Sequence, residues 1–300
     1  MSTSQCEVMP VIQLPRPVRW ATASVLLTAA LVGGSAANSP PQGTGGLVVV
    51  ELRRLPPPPE PVEAGSCDHL LVEPQSAGGV EAKALGWAVT AEVSLGGLDV
   101  VSFVGKMEPG TSGSCRTSDG NVALFESNQL RWLVYGEQGA NGRIGSIQSF
   151  EQKAIRIWSG DFLPQPVADL NIGAGGAVSL SALAEEEQFC DGKATVPNIY
   201  GMPIAAARQE LVSAGWGPVL GILPGEPSDS RAKSLKAAGI YEVQSCSPTG
   251  FGFCSFGYGG QFAELSVVTV GEGAASSTPE VARYSVSCAI PGGEQASGAE

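Results

Sequence analysis

The chain has 300 residues, 43% of them hydrophobic and 15% charged, which is enough apolar material for one large or two modest domains and too little charge for a disordered acidic chain. With 17 Lys and Arg against 29 Asp and Glu, the formal net charge is −12, which excludes a general nucleic-acid binder working by phosphate neutralisation. The single histidine excludes His-rich metal sites, and 40 glycines with 22 prolines predict many turns between short elements.

Arg16 and Arg19 precede an apolar run from Ala21 to Gly34, which ends in Ser35-Ala36-Ala37. The run is shorter than the ~20 residues a spanning helix needs. A basic flank, a short apolar centre and small residues after it predict a signal peptide over residues 1–37, cleaved after Ala37, and export to the periplasm or medium. An anchor formed by the uncleaved segment is the alternative, and the start is Met1 or Met9. Export removes Arg16, Arg19 and Glu7 and leaves the remainder more acidic still, so anionic lipid headgroups would repel it.

Residues 38–65 read as a Pro- and Gly-rich linker. Pro56 to Pro59 favour extended polyproline II, and Leu47 to Leu52 form an apolar patch suited to an isolated strand. Residues 66–190 alternate apolar runs with turn signals, which predicts four hairpins: Ala88–Leu95 with Leu98–Val104, Val122–Glu126 with Leu130–Tyr135, Ile144–Phe150 with Lys153–Trp158, and Val167–Ile172 with Ala177–Leu183. Alternation places Leu130, Trp132 and Val134 on one face and Ile155 and Ile157 on another. The expected fold is an antiparallel β domain, a sandwich or small barrel.

Seven cysteines are present, and Cys6 leaves with the signal peptide. The remaining six suit disulfides in an oxidising compartment. They allow 15 connectivities. Proximity favours Cys246 with Cys254, Cys67 with Cys115, and Cys190 with Cys288. No CxxC and no Cys/His zinc spacing occurs, so neither a metal nor a cofactor is expected.

Residues 191–288 change character to α+β, and 289–300 read as a disordered tail. A short strand followed by a turn over Thr195 to Pro203 leads to a helix from Ile204 to about Ala214, with Pro203 in its first turn and Gly215 as its left-handed stop. Ile204, Ala207, Leu211 and Val212 share a face. A second helix, capped by Asp229 or Ser228, ends at Ala238, where Leu235, Ala238, Gly239 and Ile240 echo Leu211, Ala214, Gly215 and Trp216. Strands at Pro218–Leu223, Tyr241–Ser245, Phe262–Val270 and Arg283–Cys288 complete a small sheet with two helices on one face.

The pattern Val196-Pro197-x-Ile199-x-Gly201, followed by Ala207, Leu211, Gly215 and Trp216, resembles the opening of a PASTA domain over residues 195–223. That family places one helix on a three-stranded sheet outside bacterial cells. The resemblance implies binding of uncrosslinked peptidoglycan or contacts between envelope proteins. This chain departs from the family pattern in carrying one copy, an extra helix and no preceding kinase or transpeptidase domain.

Among candidate groups, His69 lacks an orienting carboxylate in its own strand, because neighbouring Asp68 would point to the opposite face. Glu185-Glu186-Glu187 reads as a solvated face. Asp161, set between Gly160 and Phe162, reads as a turn or a pocket rim. Phe251, Phe253 and Tyr258, spaced by glycines and pinned by Cys254, form the first candidate platform for a sugar ring or peptide. The expected function is a non-catalytic, exported envelope-binding protein that takes peptidoglycan fragments. The alternatives are an assembly partner of another envelope protein, or a hydrolase using a carboxylate pair, for which Asp161 and Asp169 are the nearest candidates.

Overall fold

The computed structural model describes residues 43–137, 143–221, 230–247, 250–271 and 279–289. The expected signal peptide, Cys6 and residues 290–300 of the tail lie outside the described residues, as do Ser228 and Asp229 before the second helix. No helix among the described residues is long and apolar enough to cross a membrane.

The first part of the chain runs β1 (Gly43–Thr44), β2 (Leu47–Glu51), α1 (Ala77–Ala84), β3 (Ala88–Leu95), β4 (Leu98–Val104), β5 (Lys106–Pro109), β6 (Cys115–Ser118), β7 (Asn121–Glu126), β8 (Gln129–Gly136), β9 (Ser146–Phe150), β10 (Ala154–Trp158), β11 (Pro166–Ile172) and β12 (Val178–Ser181). Every ladder is antiparallel. Six strands form one sheet in the order β1-β2-β8-β7-β4-β3, and four form another in the order β12-β11-β10-β9. Their inner faces bury one core in which Leu98, Val100, Leu124 and Val134 meet Ile147, Ile155, Ile157 and Leu170. The sheet edges abut, β3 against β9 and β12 against β1 and its neighbour β2, so the architecture is a nearly closed sandwich.

The larger sheet is also buried on its outer face. Helix α1 covers it, with Ala82, Trp87, Phe103, Phe125 and Leu133 in one cluster. Ser76 caps the helix by accepting a hydrogen bond from the Gly79 amide at 3.0 Å. Gly78 lies flat on the Phe125 ring, where an added Cβ would come within 2.3 Å of the ring. Each large apolar side chain removed from water in this layer contributes roughly 1.5–3 kcal/mol.

Two expectations are corrected here. The segment 38–65 is no tether over its described part: β2 pairs with β8, from Leu47 opposite Gly136 to Glu51 opposite Trp132. Leu55 is then buried, and the Trp87 indole N–H donates to the Pro56 carbonyl at 2.8 Å. The proline run straps the outer face, a role suited to a backbone that carries no N–H to satisfy. Leu130 also parts from Trp132 and Val134. The β7–β8 ladder skips Arg131, pairing Leu124 with Trp132 and Phe125 with Leu130, so a bulge turns Leu130 into the outer cluster.

The second part runs β13 (Glu186–Phe189), β14 (Ala194–Pro197), α2 (Ile204–Ser213), β15 (Gly217–Pro218), α3 (Ser230–Ala237), β16 (Val243–Cys246), β17 (Cys254–Gly259), β18 (Ala263–Val270) and β19 (Glu280–Cys288). The sheet order is β15-β17-β18-β19, with β16 also on β17. Ile204, Ala207 and Leu211 of α2 and Ala232 and Leu235 of α3 enter one core with Phe256, Tyr258, Leu265 and Val267. Val212, expected on the buried face of α2, is 49% exposed. Of the expected 218–223 strand, Pro218 pairs with Tyr258 and the Val219 amide donates to the Gly257 carbonyl at 2.9 Å, while residues 222 and 223 lie outside the described residues. The hairpin β13–β14 pairs Phe189 with Ala194, so a domain boundary at 190/191 would cut through it.

The two helices end alike, as their sequences suggested. The Trp216 amide donates to the Leu211 carbonyl at 2.9 Å and the Gly215 amide to Val212 at 3.0 Å. The Ile240 amide donates to Leu235 at 3.0 Å and the Gly239 amide to Lys236 at 2.9 Å. Gly215 and Gly239 have φ of 91° and 84°, the left-handed stop that glycine adopts without steric cost.

Three disulfides close in the pairs that proximity favoured: Cys67–Cys115, Cys190–Cys288 and Cys246–Cys254.

Candidate functional site

Where the sandwich meets the C-terminal module, a cleft of about 640 Å³ opens. Its wall is assembled from six places in the chain: His69 to Val72, Thr90 and Ala91 on β3, Thr117 on β6, Gly145 to Gln148 at β9, Trp158 at the end of β10 with Gly160, Asp161 and Pro164 after it, and Arg283 to Ser285 on β19. Two polar atoms in this wall are buried and have no hydrogen-bond partner among the described residues, the Thr117 hydroxyl and the Trp158 indole N–H. Thr117 is only 8% exposed. A buried donor left unpaired costs about 1–3 kcal/mol, so such groups mark places where something else supplies the partner. The other indoles that the fold buries deeply are satisfied: Trp87 donates to Pro56 and Trp216 to the Thr195 carbonyl.

In the wall of the cleft, His69 Nε2 lies 3.9 Å from Asp161 Oδ2, and the Cys115 amide donates to that oxygen at 2.9 Å. The short helical turn Gly65–Leu70 carries His69, and the Cys67–Cys115 bridge ties this turn to β6. The loop bearing Asp161 is held by close backbone packing. An added Cβ on Gly145 would sit 2.1 Å from Gly160 Cα, and one on Gly160 would sit 2.7 Å from the Thr117 hydroxyl. The carboxylate absent from the neighbourhood of His69 in sequence is therefore supplied by Asp161, from a distant loop. Cys115 Sγ lies in the same cluster but is held in a disulfide. Two donors remain there, fewer than a zinc site takes.

Beside the cleft, a buried ion cluster joins the two modules. Arg156 on β10 donates through Nε and Nη2 to the two oxygens of Asp169 on β11 at 2.8 and 2.9 Å, and the same Nη2 lies 2.7 Å from Glu187 Oε1 on β13. The guanidinium stacks over the Phe150 ring at 3.7 Å. Burial opposes its charge, but the hydrogen bonds to Asp169 and Glu187 outweigh that and hold its pKa above the ordinary value. The Tyr284 hydroxyl donates to Glu187 Oε2 at 2.7 Å, and Tyr200 and Tyr284 stack with centroids 4.4 Å apart. Glu187 is thus no part of a solvated acidic face, since strand alternation turns it inward while Glu185 and Glu186 stay exposed.

The predicted aromatic platform does not assemble. Tyr258 is 1% exposed in the C-terminal core, where its hydroxyl donates to the buried Glu242 at 2.9 Å. Alternation along β17 carries it inward together with Cys254 and Phe256. Phe251 and Phe253 are half-buried and pack edge to face, 6.0 Å apart. Phe251 packs against Phe162 of the sandwich at 5.2 Å, with Arg116 over the Phe162 ring at 5.1 Å. These rings form a joint between the modules and are not among the residues lining the cleft.

Comparison with family models, with curated proteins and with solved structures finds no match for this chain.

Proposed function

We propose that the chain is an exported, non-catalytic binding protein of a bacterial envelope, and that its ligand, a small polar molecule with peptidoglycan fragments the first choice, enters the cleft between the two modules. The observation that carries this reading is the pair of buried, unpartnered donors at Thr117 and Trp158 in a concave wall of mixed character. Export is supported by the N-terminal apolar run and by three disulfides, which persist in oxidising compartments. The PASTA-like reading of 195–223 is supported by the strand, the turn at Gly201, the helix and the Gly215 stop. The hydrolase alternative loses its proposed pair, because both oxygens of Asp169 are taken by Arg156.

The test is co-sedimentation of the purified protein with cell-wall sacculi, in competition with soluble muropeptides. Retention that muropeptides compete away, and that Trp158→Phe weakens, is the expected result. Retention that muropeptides leave untouched would favour the second reading, an assembly partner of another envelope protein.

A further inference from the structure

The charge placed around the cleft narrows the ligand, given that the cleft is the binding site. Its charged lining groups are Asp161 with His69 beside it, and Arg283. Asp161 is fixed by the Cys115 amide and is still one-third exposed. Arg283 is exposed and makes no ion pair among the described residues, although acidic side chains outnumber basic ones 29 to 17 along the chain. The rest of the lining is apolar or neutral and includes Leu71, Val72 and Ile147 with Gln148, Ser146 and Ser285. The unpartnered Thr117 hydroxyl lies beside the loop that bears Asp161, because it packs against Gly160.

We infer that the cleft is built for a small zwitterion, a short peptide with both termini unblocked. Its ammonium group pairs with Asp161 and its carboxylate with Arg283. Thr117 and Trp158 donate to the carbonyl oxygen next to the ammonium, and the side chain lies along Leu71, Val72 and Ile147. Hydrolysis of a peptide bond frees a carboxylate on one product and an ammonium on the other, so a short peptide with both ends free comes from repeated cuts or from a cut near a chain end, and the reaction class that supplies this ligand is peptide cleavage.

The experiment is equilibrium dialysis of the full, disulfide-intact protein against an equimolar Ala-Xaa-Ala library in four forms: free, N-acetylated, C-amidated and doubly capped. Retained peptides are counted by mass spectrometry. The free form is expected to bind about tenfold better than either singly capped form, the scale of one charge-assisted hydrogen bond. Asp161→Asn should erase the preference for a free amine and keep that for a free carboxylate. Arg283→Gln should do the reverse, and Arg283→Lys should restore the carboxylate preference. Equal retention of free and capped forms by the wild type overturns the zwitterion assignment, as does retention of none. Neither result touches the parent reading, which stands or falls separately on muropeptide competition at sacculi.

Discussion

Arg156, with two buried carboxylates and two stacked tyrosines around it, links the sandwich to the C-terminal module through side chains with little access to water. The tyrosines record that burial. Burial first, and the Glu187 charge second, push Tyr200 up to about 12, and Tyr284 and Tyr258 are raised further, burial again being the largest cause. An unfolded tyrosine titrates near pH 10. Because the folded values lie above the unfolded one, the contribution of the neutral phenols is whole below about pH 10. It is lost as pH climbs from there toward 12 and beyond. The urea midpoint should therefore hold steady from pH 8 to about 10 and fall steeply above that, and Tyr284→Phe should flatten the fall. A midpoint indifferent to pH up to 11.5 would mean that these phenols are not buried beside carboxylates.

Elements were legible in the sequence wherever a local rule governed them. The Gly96-Gly97 and Ser127-Asn128 turns mark hairpins because both residues adopt positive φ, which type I′ turns require. The Gly215 and Gly239 stops mark helix ends for the same steric reason. Long-range packing was not legible. The proline strap reads as a linker until Trp87 is placed beneath it, and the bulge at Arg131 leaves no trace in the alternation of Leu130, Trp132 and Val134. Helix α1 is obscured by Gly78 and Gly79, poor helix formers that Phe125 and Glu92 leave no room to replace. The cleft loop shows what such close contacts enforce. Gly145→Ala would drive a methyl group into the Gly160 backbone, so the turn bearing Asp161 must move. Roughly 1–3 kcal/mol of stability should be lost in chemical denaturation, along with retention on sacculi. An Ala variant with wild-type stability and binding would show that the loop is not held by this approach.

At the scale of the whole molecule, the cleft draws on residues from His69 to Ser285, and no sequence window contains more than a fragment of it. His69 and Asp161 lie far apart in the sequence, and the fold is what joins them. The disulfides brace this assembly at both ends, since Cys67–Cys115 holds the His69 turn and Cys190–Cys288 ties β13–β14 to the end of β19. Cross-links of this kind typically contribute about 2–4 kcal/mol, and more for longer loops. Their sequence separations are 98, 48 and 8 residues, so removing Cys190–Cys288 should lower the melting temperature most and removing Cys246–Cys254 least. Full reduction should lower it substantially, and an unchanged melt after reduction would mean that the bridges do not form.

The most direct check on the cleft as a ligand site is a proton–nitrogen correlation spectrum of the full protein. The Trp158 indole N–H resonance is identified by its loss in Trp158→Phe, and soluble muropeptides are then titrated in. The Trp158 signal should shift saturably as its unpartnered N–H gains an acceptor, while those of Trp87 and Trp216, already bonded to Pro56 and Thr195, stay in place. A Trp158 signal that never moves while muropeptides bind elsewhere on the chain would contradict the account.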